Sequence, residues 1–202
     1  MNQIIRVSFM RSTLILLIIF FSLQSWTKAD DIRDFQIEGM SIGDSLLDYF
    51  SEKKIIKEKR NYYKNKKYTP VEINSNNFKT FTDLSFTYRT NDKDYIIERI
   101  SGFIDYRNKD IKNCYKQVDI VANEIENIFS SNVSRSKKNN KIFYEVDKTG
   151  KSNLEYITFD FKNYDQIVVA CYNFSKESGY TDNFNVELKT DKINKFLDTA
   201  YQ

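Results

Sequence analysis

Apolar and polar positions along this chain alternate with two different periods, and their order outlines an α+β domain. SIGDSLLDYFSEKKIIKEK (41–59) puts Leu46, Leu47 and Phe50 on one helical face, with Ile55 and Ile56 a turn or more later. Asp44 is placed to cap this helix, and a break is expected near Ser51. RNYYKNKKYTPVEINSNN (60–77) holds the only proline, Pro70, and predicts a loop with an edge strand around Tyr68–Ile73. Two strands follow, TDLSFTYR (82–89) and YIIERISGFIDY (95–106), and the turn-forming Thr90–Asp94 between them predicts a hairpin.

The strongest helical pattern is KDIKNCYKQVDIVANEIENIF (109–129). Ile111, Cys114, Val118, Val121, Ile125 and Ile128 recur there at steps of three and four, a stripe long enough to lie across a sheet. KIFYEV (141–146), LEYITFDF (154–161), QIVVACYNF (166–174) and DNFNVELKT (182–190) then predict strands, joined by short turns that favour antiparallel neighbours. A closing helix from Asp191 would bury Ile193, Phe196 and Leu197. The expected order is α-β-β-α-β-β-β-β-α: an antiparallel sheet of about six strands with helices packed on one face. Helix-then-strands occurs twice, which suggests a worn duplication, although no residue-level repeat accompanies it.

Ahead of this domain lies a different pattern. Arg6 and Arg11 precede an uncharged stretch from Ser12 to Thr27, densest in apolar residues from Leu14 to Leu23, and Thr27-Lys28-Ala29 supplies small residues at a cleavage junction. Charged start, short apolar middle and small-residue exit make residues 1–29 a cleavable secretory signal peptide, leaving 30–202 as one globular domain. A retained membrane anchor is the rival reading, but the run is broken by Gln24 and Ser25 and is shorter than the ~20 apolar residues a spanning helix needs. No membrane span is expected in the mature chain. The address implied is the periplasm, or full secretion.

Composition changes the picture in one respect. The formal charge of +3 comes from Arg6, Arg11 and Lys28, so the domain from Asp30 on carries 28 basic and 28 acidic side chains. Its neutrality removes the electrostatic argument for a nucleic-acid partner. Lysine (23) and asparagine (20) far outnumber alanine (4), a bias that AT-rich coding explains, and it makes the many aromatics weak evidence for a sugar-stacking surface.

There is no histidine in the chain, which excludes Ser-His-Asp and Cys-His catalysis and histidine-ligated metals. The five glycines form no phosphate-binding loop. With no recognisable catalytic motif, the expectation is no enzyme and no cofactor. A paired-carboxylate hydrolase stays open, because its two acids need only meet in space. Asp44 and Asp48 suit a helix start, and Asp92–Asp94 and Asp147–Gly150 suit hairpin turns better than calcium loops. Cys114 and Cys171, in an oxidising compartment and on faces that can meet, predict a disulfide, with two buried free thiols as the alternative. The densest charge is Lys53, Lys54, Lys57, Lys59, Arg60, Lys64, Lys66 and Lys67, interleaved with Tyr62 and Tyr63. It is a candidate anion-contact patch for lipid headgroups or lipopolysaccharide, or simply a solvated helix end and loop.

DIRDFQIEGMSIGDSLLDYFS (31–51) resembles the start of a group of uncharacterised small exported proteins of marine Pelagibacter-type alphaproteobacteria. The similarity continues at DIKNCYK, CYNFS and GYTDNFNVEL. This resemblance implies an exported, cysteine-paired protein of a Gram-negative envelope and brings no activity with it. Gly39-Met40-Ser41 leading into an amphipathic helix is also similar to the opening of the outer-membrane assembly lipoprotein family, but that family's Gly-x-Pro and lipid-attached cysteine are missing. The functional expectation is a non-enzymatic periplasmic binding or adaptor domain, whose partner would be an envelope protein or an anionic envelope component. The alternatives are a carboxylate-dependent hydrolase of envelope polysaccharide and lipid contact through 53–67.

Overall fold

The computed structural model describes residues 29–107, 109–142 and 147–200, and within them every named strand belongs to one antiparallel sheet. The export signal up to Lys28, and residues 143–146 of the strand expected at KIFYEV, lie outside the described residues. The strands are β1 (Tyr68–Asn74), β2 (Asp83–Arg89), β3 (Arg99–Asp105), β4 (Val133–Arg135), β5 (Asn139–Ile142), β6 (Asn153–Phe161), β7 (Gln166–Asn173) and β8 (Asn183–Lys189). The helices are α1 (Glu52–Lys57), α2 (Ile111–Phe129) and α3 (Asp191–Leu197). Their order across the sheet is β1-β2-β3-β8-β7-β6-β4, with β5 also on β6. Two meanders, β1-β2-β3 and β6-β7-β8, thus meet at the β3–β8 seam, and each follows a helix in the chain.

The fold class is α+β as expected, but the described residues contribute eight strands to the sheet rather than about six. The edge strand expected near Tyr68 is β1. Pro70 is tolerated because its carbonyl accepts from Arg60 N on the outer edge, where no Pro70 N–H is required. The strand missed is β4; β5 holds the first two residues of the strand expected at 141–146 and starts two residues earlier, and both share the edge of β6. Three residues separate Arg135 from Asn139 where β6 has two between Phe159 and Tyr156, so the edge bulges by one residue. Ser136 Oγ accepts from Thr158 N at this bulge, in place of a ladder carbonyl. Short, wet edge strands carry no alternating signal.

One sheet face is apolar. Val71, Phe86, Ile100, Leu188, Ile167 and Phe159 make one row across it, and Ile73, Leu84, Gly102, Val186, Val169 and Ile157 make the next. Each large side chain so buried contributes about 1.5–3 kcal/mol. Gly102 leaves a notch filled by the ring of Phe81, which would lie only 2.5 Å from a Cβ there. The Phe81 loop is held by Glu38, whose carboxylate accepts from the backbone N–H of Lys79, Thr80 and Phe81 at 2.6–3.0 Å. Burial by itself would raise this carboxyl's pKa, but the three donors and the Lys79 charge outweigh it and hold the pKa below the ordinary value.

α2 and the segment from Ile32 to Ile55 cover this face. α2 spans about 28 Å and buries Cys114, Val118, Ala122, Ile125 and Phe129. Ile128, expected on the stripe, is 40% exposed because the 3.6-residue period carries the contact line to Phe129. The single helix expected over 41–59 is instead a 3-10 turn, Leu46–Asp48, capped by Ser45, followed by α1 capped by Ser51 at the expected break. Asp44 is not the cap; it accepts from Ser41 N and Tyr49 Oη.

The helices do not all lie on one face. Strand alternation turns Tyr68 away from Val71, and α3 packs on that opposite side, where Phe196 meets Tyr63 at 5.1 Å and Tyr68 at 4.8 Å. Thr190 caps α3 as the chain leaves β8 and folds it over the far face.

Cys114 of α2 and Cys171 of β7 form a disulfide, both fully buried, closing 57 residues. Chain entropy assigns such a loop about 4 kcal/mol. The Cys114→Ala/Cys171→Ala double variant should lose up to that amount in urea unfolding, and the non-reduced, denatured wild type should take up no thiol label; two labelled cysteines would refute the bridge.

Candidate functional site

The second sheet face is the candidate site, because it is polar and, among the described residues, α3 covers only one end of it. Its side chains form rows set by the register. Under α3 lie Gln166, Lys189, Arg99, Thr87 and Pro70, with Tyr63 Oη 3.4 Å from Thr87 Oγ1. The next row is Thr158, Val168, Glu187, Ser101, Ser85 and Glu72. Beyond it come Tyr156, Ala170, Asn185, Phe103, Asp83 and Asn74, then Leu154, Tyr172, Asn183 and Asp105. Small side chains form the floor: Ser101 and Ala170 are fully buried, Ser85 and Asn185 nearly so. Tyr156, Tyr172 and Phe103 rise around them, half-buried.

A charged cluster sits at the β3–β8 seam. Arg99 Nε donates to Glu187 Oε2 at 2.8 Å and Ser101 Oγ to the same oxygen at 3.0 Å, while Lys189 Nζ is 3.4 Å from Oε1. These side chains are 13–15% exposed, so the pairs are poorly screened. Burial by itself would raise the Glu187 pKa. The Arg99 and Lys189 charges, with hydrogen bonds from Arg99 and Ser101, outweigh it and lower the pKa to about 2.

Away from α3 the face opens into a groove of about 260 Å³ whose lining includes Phe103, Ser85, Asn183, Glu72, Asp83 and Asp105. Its chemistry favours donors on a ligand. Asp83 Oδ1 accepts from Asn74, Asp105 accepts from Arg107, and Asn183 Nδ2 donates to the Thr181 carbonyl. Asn183 Oδ1 is buried and has no hydrogen-bond partner among the described residues. Tyr172 stacks on Phe174 at 5.7 Å and 14°, and Phe174 meets the exposed Tyr180, extending an aromatic border from the row of Asn183.

The sequence-based candidates lie elsewhere. The basic residues wrap the outer edge of β1 rather than converging. Lys53, Lys54 and Lys57 are on α1. Lys59 sits over the Tyr88 and Tyr95 rings, Arg60 pairs with Glu58 and Glu72, and Lys67 lies over Tyr68. Lys66 donates to the Tyr63 carbonyl, and Lys64 is exposed on the same loop. A second cleft of about 70 Å³ includes Arg60, Tyr63 and Lys66 in its lining. The two calcium-like turns are occupied from within. Asp147 accepts from the N–H and hydroxyl of both Thr149 and Ser152, which with Ser175 draw its pKa well down against the effect of burial. Asp92 accepts from Asp94 N and Ile96 N. Among the described residues no group of three or more His, Cys, Asp or Glu side chains is placed to hold a metal ion. No helix among them is long and apolar enough to cross a membrane.

Sequence reasoning missed the Arg99–Glu187 pair, whose members are 88 residues apart. The one available signal was the clean alternation in β8, which assigns Asn185 and Glu187 to a common face. Comparison with protein-family models, curated proteins and solved structures finds no match to this chain.

Glu187 has a depressed folded-state pKa, so its stabilisation is present above the unfolded value of 4.5 and is lost as pH falls toward about 2. Glu187→Gln should cost roughly 3 kcal/mol at neutral pH and flatten the acid limb of stability against pH in urea unfolding; an unchanged acid limb would refute the pairing.

Proposed function

We propose that this chain is an exported, non-enzymatic binding or adaptor domain of a Gram-negative envelope, acting in the periplasm through the open polar face of its sheet. One observation carries the reading. A face floored by Ser85, Ser101, Ala170 and Asn185 and bordered by Tyr156, Tyr172 and Phe103 stays uncovered beyond α3 among the described residues. Aromatic anchors around a small-residue floor suit recognition, because they offer contact area at low conformational cost. The three-part pattern of residues 1–29 and the Cys114–Cys171 bridge support export. In the envelope, a photo-crosslinker at Val168 or Tyr172 should give one reproducible adduct, absent with the crosslinker at Ile120 on the exposed side of α2. Equal labelling from both positions would overturn the assignment.

The groove favours a second reading, a carboxylate-dependent hydrolase of envelope polysaccharide. Asp83 lies directly opposite Phe103 in the register and Asp105 two residues along the same strand face, an aromatic platform between acids. This reading expects cleavage of purified envelope polysaccharide that falls at least about 100-fold in Asp83→Asn or Asp105→Asn; the binding reading expects none from any of the three proteins.

A further inference from the structure

At the expected cleavage junction, the residues after the cut are already held. Asp30 N lies 2.9 Å from Asp34 Oδ2, and Asp31 N lies 3.1 Å from the same oxygen. Asp31 in turn accepts from Arg33 N, so the two acids cap the 3-10 turn Ile32–Asp34 reciprocally. From the turn that follows α2, Asn132 Nδ2 donates to the Asp30 carboxylate, and it also reaches the Ala29 carbonyl at 3.1 Å. Ile32, fully buried, fixes this turn to the core.

We propose that Ala29–Asp30 is a processing junction whose new amino terminus becomes a structural group, an α-ammonium captured by the Asp34 carboxylate. The proposal rests on the export reading above. Hydrolysis adds water across the amide: the hydroxyl goes to the Ala29 carbonyl carbon, which leaves as a carboxylate, and the protons go to Asp30 N, which becomes –NH3+. A neutral N–H donor is thereby replaced, in place, by a charged one with three protons facing a carboxylate. The charged and titratable groups facing it are Asp34, the Asp30 side chain and Asp31; Asp31 is itself paired with Arg33, and Asn132 is neutral. Negative charge dominates, so the ammonium form is favoured and its pKa rises. The stabilisation is therefore complete below the ordinary α-amino value of about 7.7–8.0 and is lost as pH rises through the higher folded value.

Intact mass of the chain exported from a Gram-negative host comes first. A mass for residues 30–202 with the disulfide is expected, and any other start overturns the processing reading itself. On that protein the α-amine, followed by NMR or by pH-dependent acylation, should titrate about 0.5–1 pH unit above its value in the unfolded chain. Asp34→Asn should abolish the difference. So should one extra glycine ahead of Asp30, which moves the ammonium by about 3.5 Å while leaving every side chain intact. An ordinary α-amine pKa in the Asp30-start protein, or a raised one that persists in both variants, overturns the capture while leaving the processing reading standing.

Discussion

Everything in this domain depends on the pairing of β3 with β8. Each meander forms from neighbouring segments, but neither half has a complete face until Arg99–Asp105 aligns with Asn183–Lys189 over seven residue pairs. That register puts Ile100 beside Leu188 and Gly102 beside Val186 in the core, and in the same stroke puts Arg99 beside Lys189 and Ser101 beside Glu187 on the other side. Because side chains alternate, a slip of one residue would exchange the two sets, burying charges and exposing leucine and valine. The apolar core and the Arg99–Glu187 cluster are therefore two consequences of one alignment.

The segments that cover the sheet follow from its two faces. The apolar face takes α2 and the chain from Ile32 to Ile55, and the disulfide fastens α2 to β7 near the strand's end. Among the described residues the polar face takes α3 and the Tyr63 loop, whose contacts centre on Tyr68 and Phe196. A sheet with one face fully packed and the other partly open can keep small hydroxyl and amide side chains in its interior without destabilising the fold, provided their hydrogen bonds are made across strands. Asn185, which donates to the Gly102 carbonyl, does this across the seam.

Legibility in the sequence followed the strength of periodic signals. α2, β6, β7 and β8 stood out because buried faces impose a period over many residues. β4 did not, and the start of β5 was placed two residues late, since a bulged edge wet on one side needs no apolar alternation. The helix expected over 41–59 shows a different limit: Leu46, Phe50 and Ile55 are packed as the spacing implied, but the backbone reaches them by a turn and a short helix because Ser45 and Ser51 each start a new cap. At the candidate site, basic residues close in sequence turned out to be spread around the edge of β1, whereas Arg99 and Glu187, far apart in sequence, are in contact. Local charge density reports neighbours along the chain and says nothing of neighbours across strands.

The sequence by itself determined the α+β class, most of the strands and the helix that crosses the sheet, because each depends on local period or on residue type; for Cys114 and Cys171 it left a bridge and two free thiols both open. Only the tertiary structure decided that eight strands of the described residues share one sheet, that α3 lies opposite α2, and that Asp30 N sits against Asp34 while Phe103, Asp83 and Asn183 share a groove. The reason is physical: local propensity is encoded within a few residues, but which strand edges meet, and in what register, is settled by burial summed over the whole sheet.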